Sequence, residues 1–258
     1  MTKLAILGAA GRMGQFLLGC AARNPKVTVS AAVERAELPC IGQPVPGFDL
    51  VYTSDYPAGA DVVVDFTFHS ASIANLKKAV AHKQGYVLGT TGFDEAEKAE
   101  IAAAAKVIPI VFAPNFSLGV NLMLELVKRA SAVLGEDYDA EIVEMHHRLK
   151  KDAPSGTALG LAEALAAGRG VDLKEKACYG REGIVGERPK GEIGIHAVRG
   201  GSVVGDHTVM FAADEERLEI VHKASSREAF AVGAIRAAAW LPGQTPGIYT
   251  MRHVLGFE

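Results

Sequence analysis

The sequence has few cysteines, and those that it has are not arranged for bonding or for metal binding. Cys20, Cys40 and Cys178 are odd in number, lie far apart and include no CxxC pair. Scattered cysteines of this kind are typical of reduced, packing thiols rather than of a disulfide framework. We therefore expect a cytoplasmic protein without structural disulfides.

Aromatic residues and excess charge are scarce as well. Aromatic residues make up 7% of the chain, and 27 Lys and Arg stand against 30 Asp and Glu, a formal net charge of -3. Without a basic surplus, a nucleic-acid partner is not expected. No apolar run has the length of a membrane span, and a strand pattern begins directly after Met1, leaving no room for a signal peptide. We expect no membrane partner. The remaining class is a globular α/β protein of one large or two modest domains.

A glycine turn follows the first predicted strand. The strand Leu4–Leu7 runs into a G-x-x-G-x-x-G pattern at residues 8–14, a helix follows to about Asn24, and Val27–Val33 is the second strand. Glycines at such a turn let the backbone bend tightly, approach a pyrophosphate and pack the helix on the strand. The βαβ context favours dinucleotide binding, and the alternative is a merely tight turn.

The second strand ends at Glu34-Arg35, twenty residues after Gly14. A carboxylate at this point suits the adenosine ribose of NAD, while an arginine suits the 2′-phosphate of NADP. Both residues side by side predict use of NADH, of NADPH or of both. The alternative is that Glu34 and Arg35 are two solvated charges.

The rest of the first half continues the alternation of strands and helices. The predicted strands are 62–66, 86–88 and 108–112, and the predicted helices are 72–82 and 94–105. Continuous apolar strands separated by helices indicate a parallel sheet covered on both faces. Ligands of such sheets lie beyond the carboxyl ends of the strands. The segments 66–68, 89–91 and 113–116 follow three of these ends and could reach the nicotinamide and its ribose.

After Asn115 the pattern changes to that of an α+β domain. A long helix over 119–134 is predicted to lead into it, followed by a strand over 139–145 and a helix over 156–167. Residues 172–192 show little periodicity and are predicted to form a mobile loop, for which a lid role is conceivable. Strands over 193–199, 202–212 and 217–224 have short connections and predict a mixed sheet with antiparallel neighbours. A last helix over 227–241 is expected to return to the first domain.

The loop 144–158 concentrates groups that suit catalysis. A histidine exchanges protons near neutral pH, so His146 or His147 could donate or accept a proton when a hydride is transferred. Neighbouring residues of a strand point to opposite faces, so only one of the two would enter the binding cleft. Lys150 and the backbone amides of a helix that starts at Ser155-Gly156-Thr157 could hold an anion, and two anchoring points suggest a dicarboxylate. An ordinary capped helix is the plain alternative. A zinc site is disfavoured because adjacent histidines lack the helical i, i+4 spacing and no cysteine is near.

These motifs resemble the dihydrodipicolinate reductase family of lysine and diaminopimelate biosynthesis over nearly the whole chain. The loop pattern E-x-H-H-R-x-K-x-D-x-P-S-G-T-A is the most specific of them. The others are the glycine turn at 8–14, Gly89-Thr90-Thr91-Gly92, Ala113-Pro114-Asn115-Phe116-Ser117, Arg199-Gly200-Gly201 with 205–209, and 223–227.

The resemblance implies an α/β fold, with a Rossmann-like parallel-sheet domain over 1–117 and 227–258 that binds the dinucleotide. Residues 118–226 would form an α+β domain with a mixed sheet for substrate binding and tetramerisation. The implied reaction transfers a hydride from NADH or NADPH to a small cyclic dicarboxylate, in a homotetramer.

The resemblance also implies the roles of single residues. His146 would be the proton donor and Lys150 a second donor or carboxylate anchor. Substrate would be bound by His147, Ser155, Gly156 and Thr157. Cofactor would be bound by Gly8, Ala9, Ala10, Gly11, Arg12, Met13, Glu34, Arg35, Gly89, Thr90, Thr91, Ala113, Pro114, Asn115 and Phe116. No metal ligand is implied.

Two other functions are weighed against this one. Aspartate-semialdehyde dehydrogenase has a similar two-domain plan but needs an activated cysteine, and none of the three cysteines has a nearby histidine motif. A non-catalytic dinucleotide sensor would keep the glycine turn but has no need of His146, His147 and Lys150 together.

Overall fold

A computed structural model describes residues 1–257. The chain divides into two compact units: unit 1 consists of Met1–Leu118 and the segment from Arg227, and unit 2 of Gly119–Ser226. Unit 1 contains a parallel sheet of seven strands and unit 2 a mixed sheet of five. The predicted fold class is therefore confirmed.

The elements alternate through the first part of the chain. They are β1 (Thr2–Leu7), α1 (Arg12–Ala22), β2 (Val27–Val33), β3 (Tyr52–Thr53), β4 (Val62–Asp65), α2 (His69–His82), β5 (Gly85–Leu88), α3 (Glu95–Ala104) and β6 (Pro109–Phe112).

The middle of the chain begins with the long helix. The elements are α4 (Leu118–Leu134), a 3-10 turn (Gly135–Asp137), β7 (Asp139–His146), α5 (Gly156–Arg169), α6 (Leu173–Lys176), β8 (Ala177–Tyr179), β9 (Ile193–Arg199), β10 (Gly205–Ala212) and β11 (Arg217–Ala224). The C-terminal segment adds α7 (Glu228–Trp240), β12 (Gly247–Tyr249) and α8 (Met251–Leu255) to unit 1.

The parallel sheet has the strand order β12-β6-β5-β4-β1-β2-β3. Its central strands β4 and β5 have no exposed residue, because apolar clusters cover both faces. One cluster includes residues of α1 and α7, and the other includes residues of α2 and α3. Burial on both sides explains why these strands read as continuous apolar runs. The carboxyl ends of β1, β4, β5 and β6 lie along the same edge, where the cofactor was predicted.

The mixed sheet has the order β11-β10-β7-β9-β8. Along β7, buried and partly exposed residues alternate from Ala140 to His146, because one face packs on α5 while the other is partly exposed. We call the second face the open face. It carries Glu141 and Val143 of β7. The strand register adds Val198 of β9, paired with Met145, and Val221 of β11, which pairs with Thr208 beside Val143.

The order of the mixed sheet corrects one expectation. The short connection after β9 had suggested that β9 and β10 pair directly, but β7 lies between them, parallel to β9 and antiparallel to β10. The connection crosses the end of β7, where the Gly200 N–H donates to the His146 carbonyl over 2.9 Å. β10 also starts at Gly205 rather than at residue 202.

The expectation for residues 172–192 was wrong in part. Asp172 caps the short helix α6 through the Lys174 N–H, and β8 then joins the sheet as a parallel edge strand beside β9. Further on, Arg181 and Arg188 form ion pairs with Glu141 on β7. Side-chain pairing of this kind leaves no periodic signal, so composition alone suggested an irregular loop. Sequence patterns also missed the short elements β3, β12 and α8.

Candidate active site

The glycine turn of unit 1 has the close approach that a dinucleotide-binding loop requires. Gly8 has a φ of +68°, and a Cβ on Gly14 would lie 2.2 Å from the Gly8 carbonyl oxygen. Only glycine at position 14 allows α1 to start so close to the end of β1. Gly11 caps α1 without a side-chain hydrogen bond, and no acidic residue occupies the first turn. The positive helix end therefore faces no carboxylate from its own first turn, which fits a bound pyrophosphate.

Glu34 is held against this turn. Its Oε1 accepts a hydrogen bond from the Ala10 N–H over 2.9 Å, which places a carboxylate beside the glycine turn. Arg35 comes directly after it, and its backbone N–H donates to Oε2 of Glu34 over 3.3 Å. In dinucleotide-binding βαβ units, an acidic residue about twenty positions after the glycine turn is typical of ribose recognition, and the location of Glu34 is compatible with that role.

A cavity of about 300 Å³ lies at the carboxyl edge of the parallel sheet. It is lined by Met13, Phe66, Gly89, Pro114, Asn115 and Phe116, together with Arg227 and Phe230 of the C-terminal segment. Five of the predicted cofactor residues thus surround one space within unit 1. A Cβ on Gly89 would lie 2.2 Å from the Phe66 ring, so any larger residue there would have to displace that ring.

The hydroxyl of Thr90 lies within a hydrogen-bonded group of unit 1. Its Oγ1 accepts a hydrogen bond from Ser72 over 2.8 Å and faces Asp65, which is fully buried at the end of β4. Asp65 also accepts hydrogen bonds from the Thr67 N–H and from the Tyr86 hydroxyl, over 2.8 and 2.6 Å. Burial, together with this carboxylate, raises the pKa of Tyr86 well above its usual value. Asp65, which sequence patterns did not single out, fixes the loops after β4 and β5.

In unit 2, the C-terminal end of strand β7 carries a buried glutamate and a buried histidine. Glu144 and His146 lie on the face covered by α5, with 0% and 8% of their surface exposed. His146 Nδ1 lies 2.5 Å from Glu144 Oε2. Burial of Glu144 favours its protonated form, but hydrogen bonds from Arg199, His146 and the Ser155 N–H outweigh it, and its pKa is lowered. Glu144 is therefore ionised and accepts the Nδ1–H of His146, leaving Nε2 for proton exchange.

The start of α5 adjoins this pair. Ser155 is buried, its Oγ accepts from the Ala158 N–H over 3.1 Å, and its own N–H donates to Glu144 over 3.0 Å. Around Gly156, a Cβ would meet no atom within 4 Å, and the first turn of α5 has no acidic residue. This helix end can take an anion. Thr157 follows Gly156 in the same first turn.

His207, a residue of β10, contacts the side chain of Ser155. Its Nε2 is 3.2 Å from Ser155 Oγ, and its ring packs edge-on against His146 with centroids 5.2 Å apart. Burial is the main cause that lowers the pKa of His207 to about 4, and the neighbouring His146 is the second. The imidazole of His207 is therefore neutral near pH 7. Because Ser155 Oγ already accepts from Ala158, its hydroxyl proton is available to the unprotonated Nε2 of His207.

The remaining predicted residues of this loop follow β7. His147 is half-buried, and its Nδ1 is buried without a hydrogen-bond partner among residues 1–257. Lys150 pairs with Asp152, Nζ to Oδ1, over 2.9 Å, and the carbonyl of Asp152 accepts from Arg199 over 2.7 Å. This ion pair lowers the pKa of Asp152. A buried ring nitrogen without a protein partner fits a polar ligand.

Sequence reasoning assigned no role to Glu144, Arg199 or His207. Glu144 stands two residues before His146 on a strand, so the period of two already places both on one face. Arg199 and His207 come from strands 55 and 52 residues away from their partners, a separation that leaves no local signal. No cluster of three or more potential metal ligands occurs among residues 1–257. Over the same residues, no helix is both long and apolar enough to cross a membrane.

Comparison with known proteins covers both units. Residues 2–116 match the family described as dihydrodipicolinate reductase, N-terminus, and residues 119–255 match dihydrodipicolinate reductase, C-terminus. The chain is 49% identical over 267 aligned positions to 4-hydroxy-tetrahydrodipicolinate reductase of Anaeromyxobacter dehalogenans, covering 100% of this chain and 99% of that one. It is 51% identical to the protein of the same name from Laribacter hongkongensis, covering 99% and 98%.

A solved structure has the same fold. Dipicolinate-bound dihydrodipicolinate reductase from Paenisporosarcina sp. TG-14 superposes with a TM-score of 0.73 at 22% identity, over 97% of each chain. At that identity the likeness concerns the architecture alone.

Proposed function

This chain belongs to the dihydrodipicolinate reductase family, and from that premise we propose that it reduces 4-hydroxy-tetrahydrodipicolinate to tetrahydrodipicolinate with NADH or NADPH. The reaction is a step of lysine and diaminopimelate biosynthesis. The observation that carries the proposal within the structure is the group formed by Glu144, His146 and the start of α5. It joins a proton donor to an anion-binding helix end in a single cluster of unit 2.

Unit 1 corresponds to the proposed dinucleotide-binding domain, which was predicted over 1–117 and 227–258. When bound, the reduced nicotinamide supplies the hydride. The chain's own contribution is to bind and orient: the turn at Gly8–Met13 would hold the pyrophosphate, and Gly89–Thr91 and Ala113–Phe116 would line the nicotinamide side. Five of these residues, among them Met13 and Asn115, already line the same cavity.

Unit 2 corresponds to the proposed substrate domain, which was predicted over 118–226. His146 would give its Nε2 proton to the substrate atom that gains electron density during hydride transfer. Ser155, Gly156 and Thr157 would hold one carboxylate at the start of α5. Lys150 would hold the other or supply a second proton, and His147 would add a ring nitrogen to the same ligand. The open space at Gly156 and the orphaned Nδ1 of His147 support these roles.

The choice between NADH and NADPH depends on Glu34 and Arg35. We propose that the enzyme uses both cofactors, because Glu34 offers a carboxylate to the 2′-hydroxyl of NADH while Arg35 offers a guanidinium to the 2′-phosphate of NADPH. The Ala10 N–H holds Glu34 in position for this recognition.

A homotetramer is the proposed assembly, built through the open face of the mixed sheet. This face exposes 42% of Val198 and 48% of Val221, apolar surface that pairing with another copy would bury. The cytoplasm is the proposed location, since Cys20, Cys40 and Cys178 are free thiols of the kind that a reducing compartment preserves.

The absorbance of NAD(P)H tests the proposed function directly. Purified protein is mixed with either reduced cofactor, with and without the cyclic dicarboxylate substrate. Oxidation of the cofactor only in the presence of substrate is expected. Cofactor binding without turnover would point to a dinucleotide sensor. Reduction of NAD+ or NADP+ in a separate assay with aspartate semialdehyde and phosphate would point to the dehydrogenase alternative.

A further inference from the structure

We infer that Glu144 is a positioning residue for proton transfer: its buried carboxylate fixes the proton on Nδ1 of His146, aims Nε2 at the substrate and stabilises the protonated ring. The inference rests on the proposed reductase function, in which His146 is the proton donor. It adds a residue for which neither the sequence nor the family resemblance supplied a role.

The carboxylate of Glu144 is saturated by four donors. Oε2 accepts from His146 Nδ1 over 2.5 Å and from Arg199 Nη1 over 2.8 Å. Oε1 accepts from the Ser155 N–H over 3.0 Å and from Arg199 Nη2 over 2.8 Å. The side chain has no exposed surface. One carboxylate therefore ties the proton donor on β7, the start of α5 and the end of β9 into one rigid group.

The opposite side of the imidazole is kept clear. A Cβ on Gly205 would lie 2.9 Å from Nε2 of His146, so any residue larger than glycine at position 205 of β10 would crowd the atom that exchanges the proton. The ring of His207 packs edge-on against His146 and limits its rotation. The ring is therefore held at Nδ1 and packed against His207, and glycine at position 205 leaves Nε2 as the nitrogen for proton exchange.

The charges around His146 determine how its titration responds to substitution. Those facing the group are Glu144 on β7, Arg199 on β9, His207 on β10, His222 on β11, and Lys150 and Asp152 on the loop. The carboxylate of Glu144 favours the imidazolium, and the guanidinium of Arg199 offsets part of that negative charge. Burial keeps His207 and His222 neutral near pH 7 by lowering the pKa of both. Removing Glu144 and removing Arg199 should therefore move the titration of His146 in opposite directions.

A purely structural role for Glu144 makes a different prediction. If Glu144 only fastened α5 to β9, its substitution would lower the free energy of unfolding without moving the pH at which His146 titrates. A direct titration of the ring, without substrate, separates the two roles. It also separates the inference from the proposed function, because it needs no turnover.

The experiment follows the ring C2 proton of His146 by NMR from pH 5 to 9, with the resonance assigned through His146→Asn. In Glu144→Gln the resonance should titrate at lower pH than in the original protein, because an adjacent opposite charge is lost. Arg199→Met should move the titration to higher pH, and Arg199→Lys should restore it towards the original value. Glu141→Gln is the matched control, since Glu141 lies on the same strand and also binds an arginine and a histidine, but on the open face.

Steady-state kinetics give the second readout. In Glu144→Gln, kcat should fall by about 10-fold or more, its alkaline limb should move to lower pH, and KM for NADH should stay within about twofold. An unmoved His146 titration in Glu144→Gln, or shifts of the same sign in Glu144→Gln and Arg199→Met, would overturn the inference. If Glu144→Gln does not fold, the two Arg199 variants decide by the same criterion. If the His146 titration shifts as expected but the protein has no reductase activity, the proposed function is overturned and the inference about Glu144 stands.

Discussion

The Nδ1 atom of His146 lies 2.5 Å from a carboxylate oxygen of Glu144, two residues earlier on the same strand. The period of a β-strand places both side chains on one face, and the covering helix α5 makes that face dry. A histidine oriented by a carboxylate is a frequent arrangement for a proton-transferring residue. In the proposed reaction, Nε2 is therefore the nitrogen of His146 that exchanges the proton.

Replacing His146 with alanine should lower kcat by about 10²–10⁴-fold, the usual contribution of a general acid. KM for NADH should hold, because the predicted cofactor residues belong to unit 1. Steady-state kinetics at saturating NADH provide the measurement. His82→Ala, an exposed histidine at the end of α2, serves as the control and should leave kcat unchanged. Normal turnover in His146→Ala would refute its role as proton donor.

Cofactor choice should respond separately to the two residues at the end of β2. Glu34→Ala removes the carboxylate that would bind the 2′-hydroxyl and should lower kcat/KM for NADH more than for NADPH. Arg35→Ala should do the reverse, because a guanidinium favours the 2′-phosphate. The ratio of kcat/KM for the two cofactors is measured in each variant. Unchanged ratios in both would show that the ribose is bound elsewhere.

Much of unit 1 could be predicted because its signals are local. The strand at Val27–Val33 was predicted with its observed bounds. The apolar run at 62–66 indicated a strand buried on both faces, which is observed at Val62–Asp65. The glycine turn at 8–14 also has a local cause, since a Cβ at Gly14 would strike the backbone of the turn itself.

The mixed sheet was harder to predict because its order depends on distant pairings. β9 and β10 follow each other along the chain with a short connection, yet both pair with β7. The candidate site shares this property. Arg199 reaches Glu144 across 55 residues, and His207 reaches Ser155 across 52. The residue types of the loop were visible in the sequence, but the partners that orient them were not.

Gly14→Ala should destabilise the protein and weaken cofactor binding. Its Cβ would lie 2.2 Å from the Gly8 oxygen and 2.6 Å from backbone atoms of Ala9, which cannot move without displacing the turn. Overpacking of this kind costs about 1–3 kcal/mol in the free energy of unfolding. Urea denaturation and NADH titration measure the two effects. The matched control is Gly59→Ala, where a Cβ meets nothing within 4 Å; equal effects in both variants would contradict the crowding at Gly14.

Charges on the open face should disrupt the proposed tetramer. Val198→Glu and Val221→Glu each place a carboxylate on apolar surface that the assembly would bury, and burying an unpaired charge is costly. Light scattering after size exclusion should show masses below that of four chains in both variants. Val133→Glu is the control, because Val133 is 84% exposed on α4 and lies outside the open face. An unchanged tetramer in both sheet variants would place the interface elsewhere.

Stability should fall in acid through His207, and the sign follows from its environment. Burial, and next the neighbouring His146, lowers the pKa of His207 to about 4 in the folded chain, against about 6.5 in the unfolded one. Between these values the unfolded state binds the extra proton, so the contribution of neutral His207 is present above pH 6.5 and is lost as the pH falls towards 4.

His207→Asn removes this titration while keeping a side chain that hydrogen-bonds. The difference in the free energy of unfolding between the original protein and the variant should therefore shrink as the pH is lowered from 7 to 4.5, by at most roughly 1.4 kcal/mol per pH unit. Urea denaturation at each pH gives that difference, in which the titrations common to both proteins cancel. Between pH 7 and 8 the difference should be flat, which serves as the internal control. A difference that stays constant down to pH 4.5 would mean that His207 is accessible to protons in the folded state, and the dry packing of Ser155, His207 and His146 would have to be abandoned.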